Sequence, residues 1–254
     1  MKVCIDGLNI HYIEENKENP NSVLIVHGWG ANINTVMPIV NILKHKFHVV
    51  ALDLPCHGES DTPKTVFGTD DFAKVIIKFC DALSLKQFIY IGHSFGGKCG
   101  IYLTSKYETE IRTLVLVDAS GIKEELDEKT KRKVKRFKLM KKVYITLFGE
   151  KNIEKFYKRY GSEDYKASSG ITRNILVKVV NEDLKDNLKD IKVPTLIVWG
   201  DRDDATPLYM GEMMHKEIEN SKLIVLKGGH YSYLDDSINF SKYLLNFLDE
   251  LEER

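Results

Sequence analysis

The segment Phe88-Ile89-Tyr90-Ile91-Gly92-His93-Ser94-Phe95-Gly96 runs from four consecutive apolar residues straight into a GxSxG pentapeptide. A serine at the tip of a sharp strand-to-helix turn is forced toward positive φ, and only small residues two positions before and two after it escape collision, which Gly92 and Gly96 satisfy. The residues that follow, Phe95 to Leu103, read as a helix with small residues on its sheet-facing side. Its N-terminus lies under Ser94, a candidate nucleophile. The pentapeptide alone also fits an ordinary Gly-rich turn, so the reading rests on what surrounds it.

Moving outward in both directions, short runs rich in β-branched residues recur at Val23–Val26, Val49–Leu52, Phe88–Ile91, Leu114–Val117, Thr195–Trp199 and Leu223–Leu226. Continuous rather than alternating hydrophobicity marks strands buried on both faces. Helix-period stretches such as Asp70–Phe79 and Phe240–Leu251 lie between and after them, and strands alternating with helices give an α/β fold with a mostly parallel, doubly wound sheet. Asp6-Gly7 between Lys2–Ile5 and Asn9–Ile13 is a hairpin signal, so an antiparallel hairpin opens the sheet. The alternation breaks between Ile122 and Asn187, where helical, heavily charged sequence replaces strands. The expected organisation is a core of residues 1–121 and 188–254 with an inserted helical cap at 122–187.

At 254 residues, 43% hydrophobic and 29% charged, the chain suits one large α/β domain with an insertion. Lys+Arg and Asp+Glu both number 37, so overall charge points to neither nucleic acid nor stable membrane association. Met1–Asn9 contains no apolar signal core, and no run approaches the ~18 apolar residues of a membrane span, so the reading is cytoplasmic. Cys4, Cys56, Cys80 and Cys99 show no ligand spacing, which implies reduced thiols and neither a disulfide framework nor a zinc site.

Within the cap, Lys129, Lys131, Arg132, Lys133, Lys135, Arg136, Lys138, Lys141 and Lys142 occur without an intervening acid. Val134, Phe137, Met140 or Lys141, and Tyr144 keep helical spacing, so one reading is a solvated face on a helix whose apolar stripe covers the active site. The other is recruitment of an anionic substrate or a membrane surface.

A serine hydroxyl becomes a nucleophile near neutral pH only with a base in reach, and that base needs a carboxylate to fix its tautomer. His230, in Lys227-Gly228-Gly229-His230 after the last strand, is placed where catalytic groups gather at the carboxyl edge of an open sheet. Asp203, just beyond Thr195–Trp199, is the acid of choice, with Asp201, Asp204 and Asp118 as rivals. The oxyanion of a tetrahedral intermediate needs two backbone donors, each contributing on the order of 3 kcal/mol. The N–H groups of Trp29, in His27-Gly28-Trp29-Gly30, and of Phe95 are assigned that role.

With these residues placed, the chain resembles the α/β-hydrolase superfamily over nearly its whole length. His27 to Gly30 looks like the HGxG oxyanion loop, Gly92 to Gly96 like the nucleophile elbow, Gly200 to Pro207 like the GxxDxxxP loop that singles out Asp203, and Gly229-His230 like the terminal GH. Asp53-Leu54-Pro55-Cys56-His57-Gly58-Glu59-Ser60 is similar to the family's DxPGxGxS loop but carries Cys56 where glycine is usual. That departure implies a backbone φ allowed to a side chain.

The resemblance implies a single-cap serine hydrolase that needs no metal or organic cofactor. A serine at the elbow argues against the dehalogenase and epoxide hydrolase branches, which use aspartate there. The expected partner is a small ester-like molecule, with thioester or carbon–carbon bond hydrolysis on the same triad as alternatives. A non-catalytic ligand receptor on the same fold is a further alternative.

Overall fold

A computed structural model of the chain describes residues 1–123, 128–149, 152–160 and 163–252. Residues 124–127, 150–151 and 161–162 of the expected cap, and the side chain of Lys131 in the basic run, lie outside the described residues. The chain opens with β1 (Lys2–Ile5) and β2 (Leu8–Glu15), paired antiparallel with Lys2 opposite His11. Asp6 and Gly7, both at positive φ, form the turn. Then come β3 (Ser22–Val26), α1 (Ile33–Leu43), β4 (His48–Leu52), α2 (Thr69–Ala82), β5 (Phe88–His93), α3 (Phe95–Lys106) and β6 (Ile111–Val117).

Among the described residues, four α-helices follow before the next strand: α4 (Glu128–Phe148), α5 (Ile153–Tyr160), α6 (Glu163–Ala167) and α7 (Gly170–Asn181). The chain returns to the sheet through a 3-10 turn at Lys185–Asp190, then β7 (Thr195–Gly200), α8 (Leu208–Glu217), β8 (Ser221–Leu226), α9 (Ser232–Asp235) and α10 (Ser237–Glu252). The eight strands lie in the order β1-β2-β4-β3-β5-β6-β7-β8, antiparallel at β1-β2 and β2-β4 and parallel from β4 onward.

Period-two alternation divides each central strand between two cores. Leu24, Val50, Tyr90, Leu114 and Ile197 face the layer that holds α2, α3 and α8, while Ile25, Ala51, Ile91, Val115 and Val198 face the layer that holds α1 and α10. Both layers are apolar, which is why the strands read as unbroken hydrophobic runs. β8 departs from that reading. It is the last strand of the sheet and pairs only with β7, so Lys222 and Val225 are exposed and Val225 keeps 47% of its surface.

A second departure concerns α4. Phe137 stacks on Phe156 of α5 at 5.3 Å and Tyr144 on the same ring at 5.2 Å, so the apolar stripe of α4 packs on α5 rather than over the active site. The element that reaches the site is α7 (below).

Candidate active site

The parallel strands all point their carboxyl ends to one edge, and the sharp turn between β5 and α3 puts Ser94 there. Ser94 has φ 51° and ψ −114°, a backbone conformation that L-residues rarely adopt. It is held by Ser94 N–H donating to Val117 O and by Ser94 O accepting from Ser120 N–H, each at 3.0 Å. The flanking glycines have no alternative. A Cβ at Gly92 would stand 2.5 Å from the backbone of Gly96, and one at Gly96 would stand 2.2 Å from Val26 O.

His230 follows β8 and reaches back across the sheet edge. Its Nε2 is 2.9 Å from Ser94 Oγ, and its Nδ1 is 2.9 Å from Asp203 Oδ2. Asp203 lies in the loop after β7 and is buried. Its Oδ1 accepts from Ala205 N–H (2.8 Å) and Thr206 N–H (2.9 Å), and its Oδ2 from the Thr206 hydroxyl (2.8 Å). Burial alone would raise this carboxyl, but the bonds from His230 and Thr206 outweigh it and hold Asp203 below the usual carboxylate range. Asp203 therefore stays ionised beside the imidazole.

The rival acids have other work. Asp118, at the end of β6 with φ 45°, accepts from Gly200 N–H (2.9 Å), Ser232 N–H (2.9 Å) and Ser232 Oγ–H (2.8 Å), which ties β6, β7 and α9 together. Asp201 accepts from Lys227 Nζ (2.7 Å) and Gly228 N–H (3.1 Å) and so braces the loop that carries His230. Asp204 is exposed.

Trp29 and Phe95 line the same cavity as Ser94, with ring centroids 5.5 Å apart. Phe95 is the first residue of α3, and the first N–H groups of a helix have no partner within it. The Trp29 loop is built on buried histidines. His27 donates from Nδ1 to Gly28 O (2.7 Å) and accepts Leu54 N–H at Nε2 (3.0 Å), and His57 packs against the Trp29 ring at 4.8 Å. His93 donates from Nε2 to His230 O (2.8 Å), which couples the elbow to the histidine loop.

Burial lowers His27 to about 3 and His93 to about 4, so both are neutral when folded. A base with a depressed folded pKa takes up its proton only on unfolding, so stability falls as pH drops below about 6.5 toward the folded values. By pH 5 each of the two costs about 2 kcal/mol. Asp118, which burial raises to about 6, opposes this by about 1 to 2 kcal/mol, because its folded form binds a proton first. The expected result is a net loss of stability between pH 7 and pH 5. Urea midpoints at the two pH values check it, and an unchanged or higher midpoint at pH 5 contradicts it.

Cys56, expected at a φ allowed to a side chain, sits at φ 73°, in the left-handed region that side chains occupy only at a cost and where glycine is strain-free. Its half-buried thiol, pushed up to about 11 by burial against partial relief from Thr172 and Thr62, is not a reactive thiolate. It does not line the cavity.

Several lining residues carry no motif. The cavity, of about 540 Å³ and open to solvent on one side, is lined in part by Ile122, Leu176, Val179 and Val180, the last three from α7, and by Met210 of α8. That volume suits a small-molecule ligand. Thr206, which bridges Asp203 and His230, lies inside the acid loop and was findable there as a hydroxyl three residues past the acid. Lys98 was not findable. It is buried in α3 one turn after the elbow, and its ammonium donates to Val179 O and Glu182 O, both at 2.5 Å, at the C-terminal end of α7. Burial lowers it from the usual lysine range. A cation there is favoured by the negative end of the helix and supplements the long bond from Glu182 N–H to Val179 O. Lys98→Met leaves Glu182 O without this donor and Val179 O with only the 3.4 Å bond from Glu182 N–H, and is expected to cost about 2 kcal/mol in urea unfolding; a loss below about 0.5 kcal/mol would show that water replaces the ammonium.

A family profile described as the alpha/beta hydrolase fold matches residues 21–237. An uncharacterized hydrolase, YugF of Bacillus subtilis, is 25% identical over 97% of this chain and 97% of its own length. The monoacylglycerol lipase ABHD6 of Bos taurus is 25% identical over 89% of this chain and 75% of its own. Among solved structures, an esterase from Exiguobacterium antarcticum superposes with a TM-score of 0.75 at 23% identity, covering 97% of each chain.

Proposed function

Because the chain belongs to the α/β-hydrolase fold family, we propose that it is a serine hydrolase that cleaves a small carboxylic ester through an acyl-enzyme intermediate. The observation that carries this reading is the unbroken line of hydrogen bonds Ser94 Oγ to His230 Nε2, and His230 Nδ1 to Asp203 Oδ2, each 2.9 Å, opening onto an apolar-walled cavity. Ser94 attacks the ester carbonyl as His230 takes its proton. The oxyanion is held by the N–H groups of Trp29 and Phe95, and His230 returns the proton to the leaving alkoxide. Water then attacks the acyl-enzyme by the same route, with Asp203 stabilising the imidazolium each time it forms.

The ester class is supported by the apolar side chains of Ile122, Leu176, Val179 and Met210, which line the same cavity as Ser94. Two of the relatives above are named as a lipase and an esterase. Residues 122–187 act as the cap, with α7 as the part that shapes the acyl site. Four free cysteines, two of them buried, suit a reducing compartment, and the cytoplasm is the proposed location.

The test is initial-rate hydrolysis of p-nitrophenyl esters of increasing acyl length by the native chain and by Ser94→Ala, with matched thioesters alongside. Ester turnover that depends on Ser94 is the expected result. Turnover of thioesters alone, or of neither class, rejects the ester reading.

A further inference from the structure

We infer that the α4–α5 pair is a docking surface for an anionic lipid membrane. Residues 128–160, from the first residue of α4 to the last of α5, contain thirteen lysines and arginines against three glutamates, a formal +10. The whole chain sums to zero, so the other 221 residues carry −10. The charge is therefore unevenly divided along the chain, and an anionic surface attracts this segment more than the rest.

Charge alone would suit any polyanion. What selects a lipid surface is the apolar row set among the cations. Leu139, Val143 and Leu147 recur every four residues along α4, so they lie on one face, and they keep 62%, 50% and 69% of their surface exposed. Phe148 is 57% exposed beside them. The row borders an apolar groove of about 470 Å³ shared with Phe156 and Tyr160 of α5. Toward the helix N-terminus the same face continues through Arg136 and Arg132, both exposed. Aliphatic side chains gain nothing from a nucleic acid, whereas the boundary between headgroups and acyl chains takes an apolar row and a phosphate-seeking row together. Among the described residues no helix is long and apolar enough to cross a membrane, so the contact is peripheral and reversible.

The docking face is joined to the reaction cavity. Phe156 of α5 adjoins Tyr157, on which the Arg173 guanidinium stacks at 4.3 Å, and Arg173 Nε donates to Tyr165 O at 3.0 Å. Arg173 belongs to α7, whose next turns supply Leu176, Val179 and Val180 to the cavity wall. A lipid-bound α4–α5 pair thus holds the cap element that shapes the site.

Sedimentation with sucrose-loaded vesicles tests docking on the Ser94→Ala chain, so the outcome does not depend on the hydrolysis reading. Binding to phosphatidylcholine vesicles containing about 30 mol% phosphatidylserine is expected to be at least about tenfold tighter than to phosphatidylcholine alone, and to weaken as salt rises from about 0.1 M to about 0.5 M. The pair Leu139→Ser with Leu147→Ser, and separately Arg132→Gln with Arg136→Gln, should each reduce it at least about tenfold. These side chains are exposed, so thermal midpoints and, in chains with Ser94 restored, rates on a soluble ester should not change. No vesicle binding, equal binding to both vesicle types, or binding that survives either pair of substitutions overturns the proposal. So does equal affinity for polyglutamate that ignores the leucine changes, since that would mark a general polyanion site.

Discussion

Replacing Ser94 with alanine is expected to lower kcat toward p-nitrophenyl esters by a factor on the order of 10⁶. In the proposed mechanism the loss is large because His230 and Asp203 have no function without the hydroxyl they serve. For the same reason Ser94→Ala combined with His230→Ala should be no slower than either change alone. Stability separates chemistry from folding. Alanine keeps a Cβ at φ 51°, so the strain of the elbow remains, whereas Ser94→Gly removes it. Glycine ordinarily costs about 0.5 to 1 kcal/mol in ordered structure, against strain of about 1 to 3 kcal/mol at such a position. Ser94→Gly should therefore be at least as stable as Ser94→Ala, with both inactive. An alanine variant that kept more than about one hundredth of native kcat would remove Ser94 from the mechanism.

The second large effect distinguishes two buried carboxylates. Asp203→Asn should lower kcat by about 10⁴ through tautomer choice. An asparagine that presents its NH₂ where Asp203 Oδ2 now stands turns His230 Nδ1 into an acceptor and moves the ring proton to Nε2. That proton then points at Ser94 Oγ, and the imidazole cannot accept another. Asp118→Asn acts differently. Asp118 receives three donors on two oxygens, so an amide must set its own N–H groups against Gly200 or Ser232. The expected loss is about 2 to 4 kcal/mol of stability, with kcat per folded molecule changed less than about tenfold. Kinetics and urea unfolding on both variants decide it. A loss of kcat by Asp118→Asn that matched or exceeded that of Asp203→Asn would transfer the acid role to Asp118.

The parts of this architecture legible in the sequence are those where backbone geometry restricts residue choice. The elbow shows itself because Gly92 and Gly96 tolerate no Cβ, and the opening hairpin because Asp6-Gly7 accept positive φ. Runs such as Ile89–Ile91 announce burial on two faces because each face meets its own layer of helices. Where the determinant is a partner distant in sequence, local pattern fails. Nothing in Leu223–Leu226 reveals that β8 has a neighbour on one side only. The spacing of Phe137 and Tyr144 specifies an apolar face but not that Phe156 fills it. Lys98 reads as a surface residue until α7 offers two carbonyls to its ammonium. Cys56 reads as evidence for a φ allowed to a side chain, and its value of 73° lies in the left-handed region, where a side chain fits only at some cost.

Ser94, Asp203 and His230 follow β5, β7 and β8, and the bond from His230 to Ser94 spans 136 positions of chain. A contact of that sequence separation forms late, after the intervening strands have paired. On the ribosome, the nascent polypeptide can complete β1 to β6 and form the Ser94 turn while His230 is still unsynthesised. Esterolysis during synthesis or refolding should therefore be the last property to appear, arriving only once β8 has added to the sheet edge.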